Sequence, residues 1–212
     1  MVEVLEYNLP DVQLMHQETN NFLLWIPDKT YIVLGASNKP DNSIVESLVL
    51  QDNISVLKRR TGGQTVMLTP KNLIISAIIT DENIVKPKDV FNKFNDLIIK
   101  AIEQDHFVNF STKGISDIAI GEMKIMGSSM YRNREKLFYH AVLNFDESPE
   151  TFQKYLTHPS KEPDYRIGRS HAEFVTSLKE TGYLPDIYHL KGKITESLNS
   201  FLPNYKPVYQ VV

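Results

Sequence analysis

The chain has 212 residues, with 42% hydrophobic and 23% charged side chains and a formal net charge of -3 at pH 7. These values are typical of a soluble globular protein, and they exclude a disordered chain and a broadly basic nucleic-acid binder. The absence of cysteine excludes disulfides, thiolate metal sites and cysteine nucleophiles, and it suits a reducing compartment.

The N-terminal sequence predicts a protein that is neither secreted nor inserted in a membrane. Residues 1–21 lack the basic start and the uninterrupted apolar run of a signal peptide. No apolar stretch approaches the roughly 20 residues that cross a bilayer. No internal repeat or Gly/Ser-rich linker is visible. We therefore expect a cytoplasmic protein with one domain over residues 1–212.

The first half of the sequence predicts one helix and several short strands. Residues 11–25 begin with Asp11, a candidate helix N-cap, and their apolar positions fit a helical face moderately. Strand-like runs, rich in β-branched and aromatic residues, follow at 30–35, 54–60, 64–68 and 72–79. The last of these runs is almost entirely apolar, which is typical of a strand buried on both faces.

The second half begins with the clearest helix, residues 87–104, where Pro87 stands at the start and apolar residues recur along one face. Strand-like runs follow at 106–110, 116–121, 123–132 and 136–145. A charged, irregular segment, 158–174, precedes a last helix at about 186–200. Several neighbouring strands are joined by hairpin-length turns, so the fold class is α/β or α+β, with a mixed, largely antiparallel sheet flanked by helices.

The stretch KRRTGG, residues 58–63, joins three basic side chains to two glycines and has two interpretations. In the first, Gly62 and Gly63 form a hairpin turn, and the basic residues are solvated strand ends. In the second, the glycine backbone and Arg59 form a cradle for a phosphate or carboxylate group. The spacing matches neither the Walker A loop nor the GxGxxG pattern, so it does not decide between them.

A second group of polar residues follows Asp117, and His140 forms a third. Lys124 precedes Gly127 and Ser128 in a predicted hairpin. This lysine is either a solvated surface residue or a cation that holds developing negative charge together with the flexible backbone and hydroxyl groups. Strand alternation places His140 on a largely apolar face, where it is either a satisfied core residue or a functional group.

These segments, in this order, resemble the lipoate–protein ligase family, within the wider group of biotin and lipoate ligases and octanoyl transferases. The residues that match its first motif are Arg59, on the family's binding arginine, Thr61, Gly62, Gly63 and Asn72. The residues that match its second and third motifs are Asp117, Lys124, Gly127, Ser128 and His140. The resemblance implies a catalytic domain with the class II synthetase-like fold of biotin and lipoate ligases.

The resemblance also implies a reaction. A ligase of this kind uses ATP and Mg²⁺ to convert lipoate, or a related medium-chain acid, into an acyl-adenylate, and then transfers the acyl group to a lysine of a lipoyl-carrier domain. The implied partners are the lipoyl domains of 2-oxoacid dehydrogenase complexes or the glycine-cleavage H protein, with no nucleic acid and no membrane. Residues 164–171 are expected to form a loop near the entrance of the acceptor lysine.

The family's site residues carry over with distinct expected roles. Lys124 is expected between the carboxylate and the α-phosphate, where it stabilises negative charge in both steps. Arg59 and Asn72 are expected to hold the adenylate and carboxylate side. Asp117 is the expected metal or ribose ligand. His140 is placed in the site by resemblance without an assigned role.

The sequence departs from the family pattern at several positions. Gln64 replaces the third glycine, Leu68 and Thr69 replace a His-Asp pair, and Ser116 replaces an asparagine. Many family members also have a second, smaller C-terminal domain, so a separate accessory subunit is one expectation here. Two other functions stay open: a cysteine-free octanoyl or lipoyl transferase between carrier proteins, and a non-catalytic module that binds lipoylated or acylated carriers.

Overall fold

The computed structural model describes residues 1–80, 86–103, 108–182 and 186–202. The strands are β1 (Val4–Glu6), β2 (Asn21–Trp25), β3 (Tyr31–Leu34), β4 (Ser55–Lys58), β5 (Val66–Leu68), β6 (Asn72–Ile79), β7 (Phe110–Lys113), β8 (Asp117–Ile120), β9 (Met123–Arg132) and β10 (Leu137–Asn144). The α-helices are α1 (Glu46–Gln51), α2 (Pro87–Glu103), α3 (Pro149–Tyr155), α4 (His171–Phe174) and α5 (Ile187–Phe201). Short 3₁₀ helices cover Pro10–His16, Pro40–Asn42, Asp164–Arg166 and Lys179–Thr181.

The strands form two sheets. The smaller sheet has the order β1-β4-β3-β5, in which β4 runs parallel to β1 and β3, and β5 runs antiparallel to β3. The larger sheet, β2-β6-β10-β9-β8-β7, is antiparallel throughout. The predicted mixed, largely antiparallel arrangement is confirmed, but its parallel pairs are confined to the smaller sheet.

Strand alternation sorts the apolar side chains into three cores. One face of the larger sheet packs with α2 and α5, and Phe94 of α2 stacks on Tyr139 of β10 with 4.0 Å between ring centroids. The other face packs on the smaller sheet, where Ile74 and Phe138 join Val33 in one cluster. The far face of the smaller sheet is covered by α1 and α3. Because both faces of the larger sheet are covered, β6 is buried at every residue, as predicted.

Residues 11–25 do not form the predicted helix. Pro10–His16 is a short 3₁₀ helix, and Asn21–Trp25 is strand β2, which pairs with β6 and is buried at every residue. Asp11 does not cap the helix; its fully buried carboxylate accepts a hydrogen bond from the Ser76 hydroxyl of β6 at 2.7 Å. Pairing with β6 thus overrides a weak helical pattern, as tertiary context often does.

The hairpin interpretation of residues 61–63 is wrong. The flanking strands β4 and β5 are not neighbours, because β3 lies between them in the sheet. The connection instead crosses the end of β3, where the N–H group of Ala36 donates to the carbonyl of Thr61 at 3.0 Å.

The helices predicted near residues 87–104 and 186–200 are confirmed as α2 and α5. Of the strand predicted at 106–110, residues 106 and 107 lie outside the described residues, and β7 begins at Phe110. Within the part of the chain that the structure describes, no helix has both the length and the apolar character that a membrane crossing requires.

Candidate active site

A cavity of about 290 Å³ lies between the two sheets. Its apolar wall residues come from both sheets and from α3, and they include Val33, Val66, Leu68, Ile74, Val142 and Phe152. Its basic lining residues are Arg59, Lys124, Lys161 and Arg166, whereas no described Asp or Glu lines it. Since the whole chain carries a charge of -3, the cavity is a local concentration of positive charge that suits an anionic ligand with an apolar part.

Arg59 is the one residue of the basic triplet that lines the cavity. The Lys58 ammonium donates to the carbonyl of Asn38, and Arg60 pairs with Glu6 on the surface at 2.7 Å. Arg59 is 4% exposed, and burial lowers the pKa of its guanidinium to about 10, so it stays charged at neutral pH.

The Arg59 guanidinium is held by backbone carbonyls rather than by a carboxylate. It donates to Val33 at 3.2 Å, to Gly62 at 2.9 and 3.2 Å, and to Gln64 at 2.8 Å. The Arg59 guanidinium, which was expected to bind an anion, therefore uses most of its N–H groups to hold the loop of residues 59–65 in place.

Two glycines allow this loop its path. Gly63 has φ +92°, and a Cβ atom there would lie 2.9 Å from Nη2 of Arg59. A Cβ atom on Gly35, at the end of β3, would lie 1.9 Å from the carbonyl oxygen of Gly63. Gly62 has open space around it and does not line the cavity, and neither does Thr61, whose buried hydroxyl has no partner. Of the predicted Thr-Gly-Gly cradle, only Gly63 reaches the cavity.

A buried acid supports Arg59. The carboxylate of Asp11 accepts hydrogen bonds from the hydroxyl groups of Tyr7 at 2.6 Å and Ser76 at 2.7 Å. Burial raises the pKa of Asp11, whereas the hydrogen bonds from Ser76 and Tyr7 and the positive charge of Arg59 oppose that rise. Tyr7 also lines the cavity. No sequence pattern indicates this network, because Tyr7 and Asp11 are far from Arg59 and Ser76 in the chain.

A bulge in β9 turns Lys124 toward the cavity. Ile118 pairs with Met126 but Ala119 pairs with Lys124, so one extra residue, Ile125, interrupts the alternation. Ile125 and Met126 both pack in the helix-facing core, and Lys124 and Gly127 consequently share the cavity face. Bulges often reorient a side chain in this way beside active sites.

Lys124 lies directly over Gly127. A Cβ atom on Gly127 would lie 2.6 Å from Nζ of Lys124 and 2.7 Å from its Cε. The ammonium group pairs with Asp117 at 2.9 Å, and its side chain remains 27% exposed.

Asp117, the predicted metal or ribose ligand, stands behind Lys124 and does not line the cavity. One of its oxygens pairs with Lys124, and the other accepts a hydrogen bond from the Tyr165 hydroxyl at 2.9 Å. Among the described residues, no group of three or more His, Asp or Glu side chains is arranged to hold a metal ion.

His140 lines the cavity on the face that strand alternation predicted. Its Nε2 atom shares a hydrogen bond with the hydroxyl of Ser129, its cross-strand partner. Burial and the nearby charge of Arg59 lower the pKa of His140 to about 3, so the ring is neutral at physiological pH. The neighbouring Ser128 also lines the cavity, but its hydroxyl donates to the carbonyl of Ser116 at 3.0 Å.

Asn72 lies outside the cavity lining and is fully buried. Its Oδ1 accepts from the N–H of Thr69 at 2.8 Å, and its Nδ2 donates to Oδ1 of Asn144 at 3.2 Å. Asn144 in turn donates to the carbonyls of Glu147 and Thr176. Contrary to the expected substrate contact, Asn72 holds the loops at the ends of β6 and β10 together.

The sequence interpretation missed several lining residues, above all Thr65 and Arg166. Both line the cavity, and the hydroxyl of Thr65 and Nη2 of Arg166 are buried without a hydrogen-bond partner. Arg166 belongs to the 164–171 segment that was expected near the entrance. Thr176, which follows this segment and α4, donates its N–H to the carbonyl of Lys124 at 2.9 Å and ties this part of the chain to β9.

Comparison with known proteins gives one family for this arrangement. Residues 7–199 match the family described as the lipoyl protein ligase A/B catalytic domain. Among curated relatives, lipoate–protein ligase 1 of Staphylococcus aureus is 28% identical over 162 residues, which cover 76% of this chain and 46% of that protein. A Plasmodium falciparum protein named inactive lipoate–protein ligase 2 is 24% identical over an alignment of 217 residues, which covers 85% of this chain and 56% of that protein. The chain thus spans about half the length of these relatives.

Solved structures share the fold at low sequence identity. The bipartite lipoate protein ligase of Thermoplasma acidophilum, described with its E2 lipoyl domain, has a TM-score of 0.79 at 14% identity, covering 98% of this chain and 87% of that one. A lipoate-protein ligase A bound with ATP has a TM-score of 0.78 at 13% identity, covering 98% of this chain and 89% of that one. At these identities the likeness establishes the fold.

Proposed function

The chain belongs to the lipoyl protein ligase A/B catalytic domain family, and on that premise we propose that it attaches lipoate, or a related medium-chain acid, to a lysine of a lipoyl-carrier domain. ATP supplies the driving force through an acyl-adenylate. The observation that carries this proposal is the cavity itself, which combines apolar walls with four basic side chains and no described carboxylate. An acyl chain that ends in a carboxylate, joined to a phosphate, has this combination of properties.

In the first step, a carboxylate oxygen of the acid attacks the α-phosphorus of ATP, and the bond from that phosphorus to pyrophosphate breaks. Positioning and charge stabilisation account for most of the catalysis in such a step. Lys124 is the group that we assign to the developing charge, because it lines the cavity and is held by a single carboxylate. The neutral ring of His140 suits a position beside the acyl chain, where a charged group is not needed.

In the second step, the amine of the carrier lysine attacks the acyl carbon, an amide bond forms and AMP leaves. Lys124 stabilises the charge on the AMP phosphate as it departs. The structure of the archaeal ligase with its E2 lipoyl domain supports a lipoyl domain as the acceptor. Which carrier is used, whether a 2-oxoacid dehydrogenase subunit or a glycine-cleavage H protein, stays a prediction.

The described residues do not offer a site for Mg²⁺. Asp117 is engaged by Lys124 and Tyr165, and no described Asp or Glu lines the cavity. Mg²⁺ prefers carboxylate and phosphate oxygens together with water. We therefore assign no metal ligand to this chain and no step to a metal that it would hold.

Intact mass spectrometry of an apo lipoyl domain tests the proposal. The domain is incubated with this protein, lipoate and Mg²⁺, with and without ATP, and separately with chemically prepared lipoyl-AMP. We expect a lipoyl mass gain that requires ATP or lipoyl-AMP. Lys124→Ala should slow the gain on the order of 10²-fold or more, because it removes the group that stabilises the reacting charge.

Lys113→Ala is the matched control. Lys113 also projects from the larger sheet, pairs with Glu122 at 2.6 Å and is 30% exposed, but it does not line the cavity. A loss of similar size in both variants would contradict the role of Lys124. A gain from an octanoyl- or lipoyl-carrier donor without ATP would replace the ligase with a transferase. Carrier binding without any mass gain would indicate a non-catalytic binding module. The similarity to a Plasmodium protein that is named inactive is the reason for testing this alternative.

A gain from lipoyl-AMP but not from lipoate and ATP would show that this chain transfers the acyl group without forming the adenylate. A separate accessory subunit would then be required for the first step. The bipartite organisation of the archaeal neighbour supports this as the next experiment.

A further inference from the structure

Arg166 is a buried cation whose hydrogen bonding is incomplete. It is 4% exposed, and its Cζ atom lies 4.9 Å from the ring centroid of Phe174. Its Nε donates to the carbonyl of Arg169 at 2.8 Å, while its Nη2 is buried without a partner. A buried, charged N–H group without an acceptor is costly, so an acceptor that arrives with a ligand would stabilise this arrangement.

The backbone next to Arg166 is strained. Ile167 has φ +54° and is 80% exposed, and Gly168 follows with φ +68°. A positive φ is unfavourable for a β-branched residue, and such strain concentrates at ligand-binding segments. These left-handed residues end the 3₁₀ helix Asp164–Arg166, and at this point the arginine is buried while the isoleucine is in solvent.

The carboxylate that pairs with Arg166 is shared with other donors. Glu162 lies 3.5 Å from Nε of Arg166, but it also accepts hydrogen bonds from the Gly168 N–H and from His158, both at 2.9 Å. Lys161 and His171 line the same cavity. Burial and the charges of Arg166, His158 and Lys124 lower the pKa of His171 to about 4. The positive charges near His171 therefore disfavour protonation of its imidazole ring.

We propose that Arg166 is the centre of an anion subsite, with Lys161 and His171 at its edge, that binds a polyphosphate. The polyphosphate is either the β- and γ-phosphates of the nucleotide or free pyrophosphate. The planar guanidinium is suited to phosphate oxygens because it can donate two parallel hydrogen bonds. The assignment of the nucleotide as ATP rests on the proposed function. The subsite gives the two cations separate roles, because Lys124 would lie at the α-phosphate and Arg166 at the pyrophosphate leaving group.

Isothermal titration calorimetry with pyrophosphate alone tests this subsite without lipoate, carrier or turnover. Arg166→Gln should weaken pyrophosphate binding about tenfold or more, because it removes a charge-assisted hydrogen bond. Arg166→Lys keeps the charge but not the fork and should have an intermediate effect. Lys161→Gln, at an exposed position, should weaken binding by roughly two- to fivefold, with the larger difference at low salt. Arg60→Gln is the matched control, because its exposed side chain pairs with Glu6 away from the cavity.

Titrations with ATP and AMP separate the phosphates. Arg166→Gln should weaken ATP binding but leave AMP binding unchanged, because AMP lacks the β- and γ-phosphates. Equal weakening for both nucleotides would overturn the polyphosphate assignment. Three results would overturn the subsite. The first is unchanged pyrophosphate binding in a folded Arg166→Gln protein, and the second is an equal loss of binding in Arg60→Gln. The third is the absence of pyrophosphate binding by the unmodified protein. If Arg166→Gln does not fold, unchanged binding in both Arg166→Lys and Lys161→Gln would overturn it.

These outcomes are independent of the ligase reaction. Loss of pyrophosphate binding in Arg166→Gln, in a protein that does not lipoylate a carrier, would keep the subsite and remove the proposed function. If the protein lipoylates the carrier with ATP but Arg166→Gln does not change pyrophosphate binding, the proposed function would hold and the subsite would be refuted.

Discussion

Arg59 and Lys124 face one cavity from opposite sheets, yet the two cations are held by different groups. Arg59 is buried and donates to the carbonyls of three residues of its own sheet and loop. Lys124 is 27% exposed and pairs with one carboxylate, Asp117. The guanidinium is therefore committed to the shape of its loop, whereas the ammonium can exchange Asp117 for a substrate anion. Two basic residues in one site need not perform the same kind of work.

The largest expected effect on stability follows the loss of Arg59. Arg59→Ala should lower the free energy of unfolding by about 3 kcal/mol, because buried carbonyls lose their donors and Asp11 loses a nearby cation. Urea denaturation measures this change. Arg60 is exposed and pairs only with Glu6 among the described contacts. Arg60→Ala should therefore change the free energy of unfolding by no more than about 0.5 kcal/mol. Equal changes in the two variants would contradict the structural role of Arg59.

The second test addresses the close approach that shapes the loop. Gly35→Ala should cost about 2 kcal/mol of unfolding free energy, because its Cβ atom would lie 1.9 Å from the carbonyl oxygen of Gly63, which is backbone and cannot turn aside. Gly62→Ala meets nothing within 4 Å and should change stability by less than about 0.5 kcal/mol. Thermal unfolding of the two proteins decides the point, and a Gly62 variant as unstable as the Gly35 variant would refute it.

A smaller effect is expected on the Lys124 side, and there it should appear in the rate. Gly127→Ala would place a methyl group 2.6 Å from Nζ of Lys124, whose flexible chain can swing away at little cost in stability. We expect lipoylation to slow on the order of tenfold or more, with melting temperature nearly unchanged, since the displaced cation no longer meets the reacting charge. A rate equal to that of the unmodified protein would indicate that the position of Lys124 over Gly127 does not matter.

The smallest effect at neutral pH concerns His140, which lies within the field of Arg59. Its folded-state pKa of about 3 lies below the unfolded value near 6.5, so the unfolded state binds the extra proton. Stability from this group is complete above about pH 6.5 and is lost as the pH falls toward 3. His140→Gln should therefore lose less stability than the unmodified protein between pH 7 and pH 4.5 in urea denaturation. A parallel decline in both proteins would show that the imidazole does not titrate with folding.

Short-range patterns predicted strands β3 to β6 and β8 to β10, because alternation and apolar runs are local properties, but they did not predict β1 or β2. They also placed His140 on the correct face. They did not predict that β3 separates β4 from β5, since a Gly-Gly pair between two strands suits a hairpin equally well. The helical pattern of residues 11–25 failed for a related reason: β2 is stabilised by β6, which is distant in sequence.

Lys124 lies in the cavity lining, as the sequence led us to expect, and its role in catalysis stays a prediction. Asn72 matched a family motif, but its amide is consumed by a buried network that only the packing of β6 on β10 creates. Arg166 gave no signal, because its importance comes from burial without a partner, and a sequence pattern does not reveal burial of a charged residue in an irregular segment.

The bulge at Ile125 makes the location of Lys124 depend on the parity of a residue count. Deleting Ile125 would remove the extra residue and leave Met126 alone between Lys124 and Gly127, so regular alternation would keep the lysine on the cavity face. Deleting both Ile125 and Met126 would make Lys124 and Gly127 neighbours, and neighbouring residues of a regular strand lie on opposite faces. Loss of one residue here is therefore expected to preserve the side on which the lysine lies, whereas loss of two is expected to reverse it, although every functional side chain would still be present.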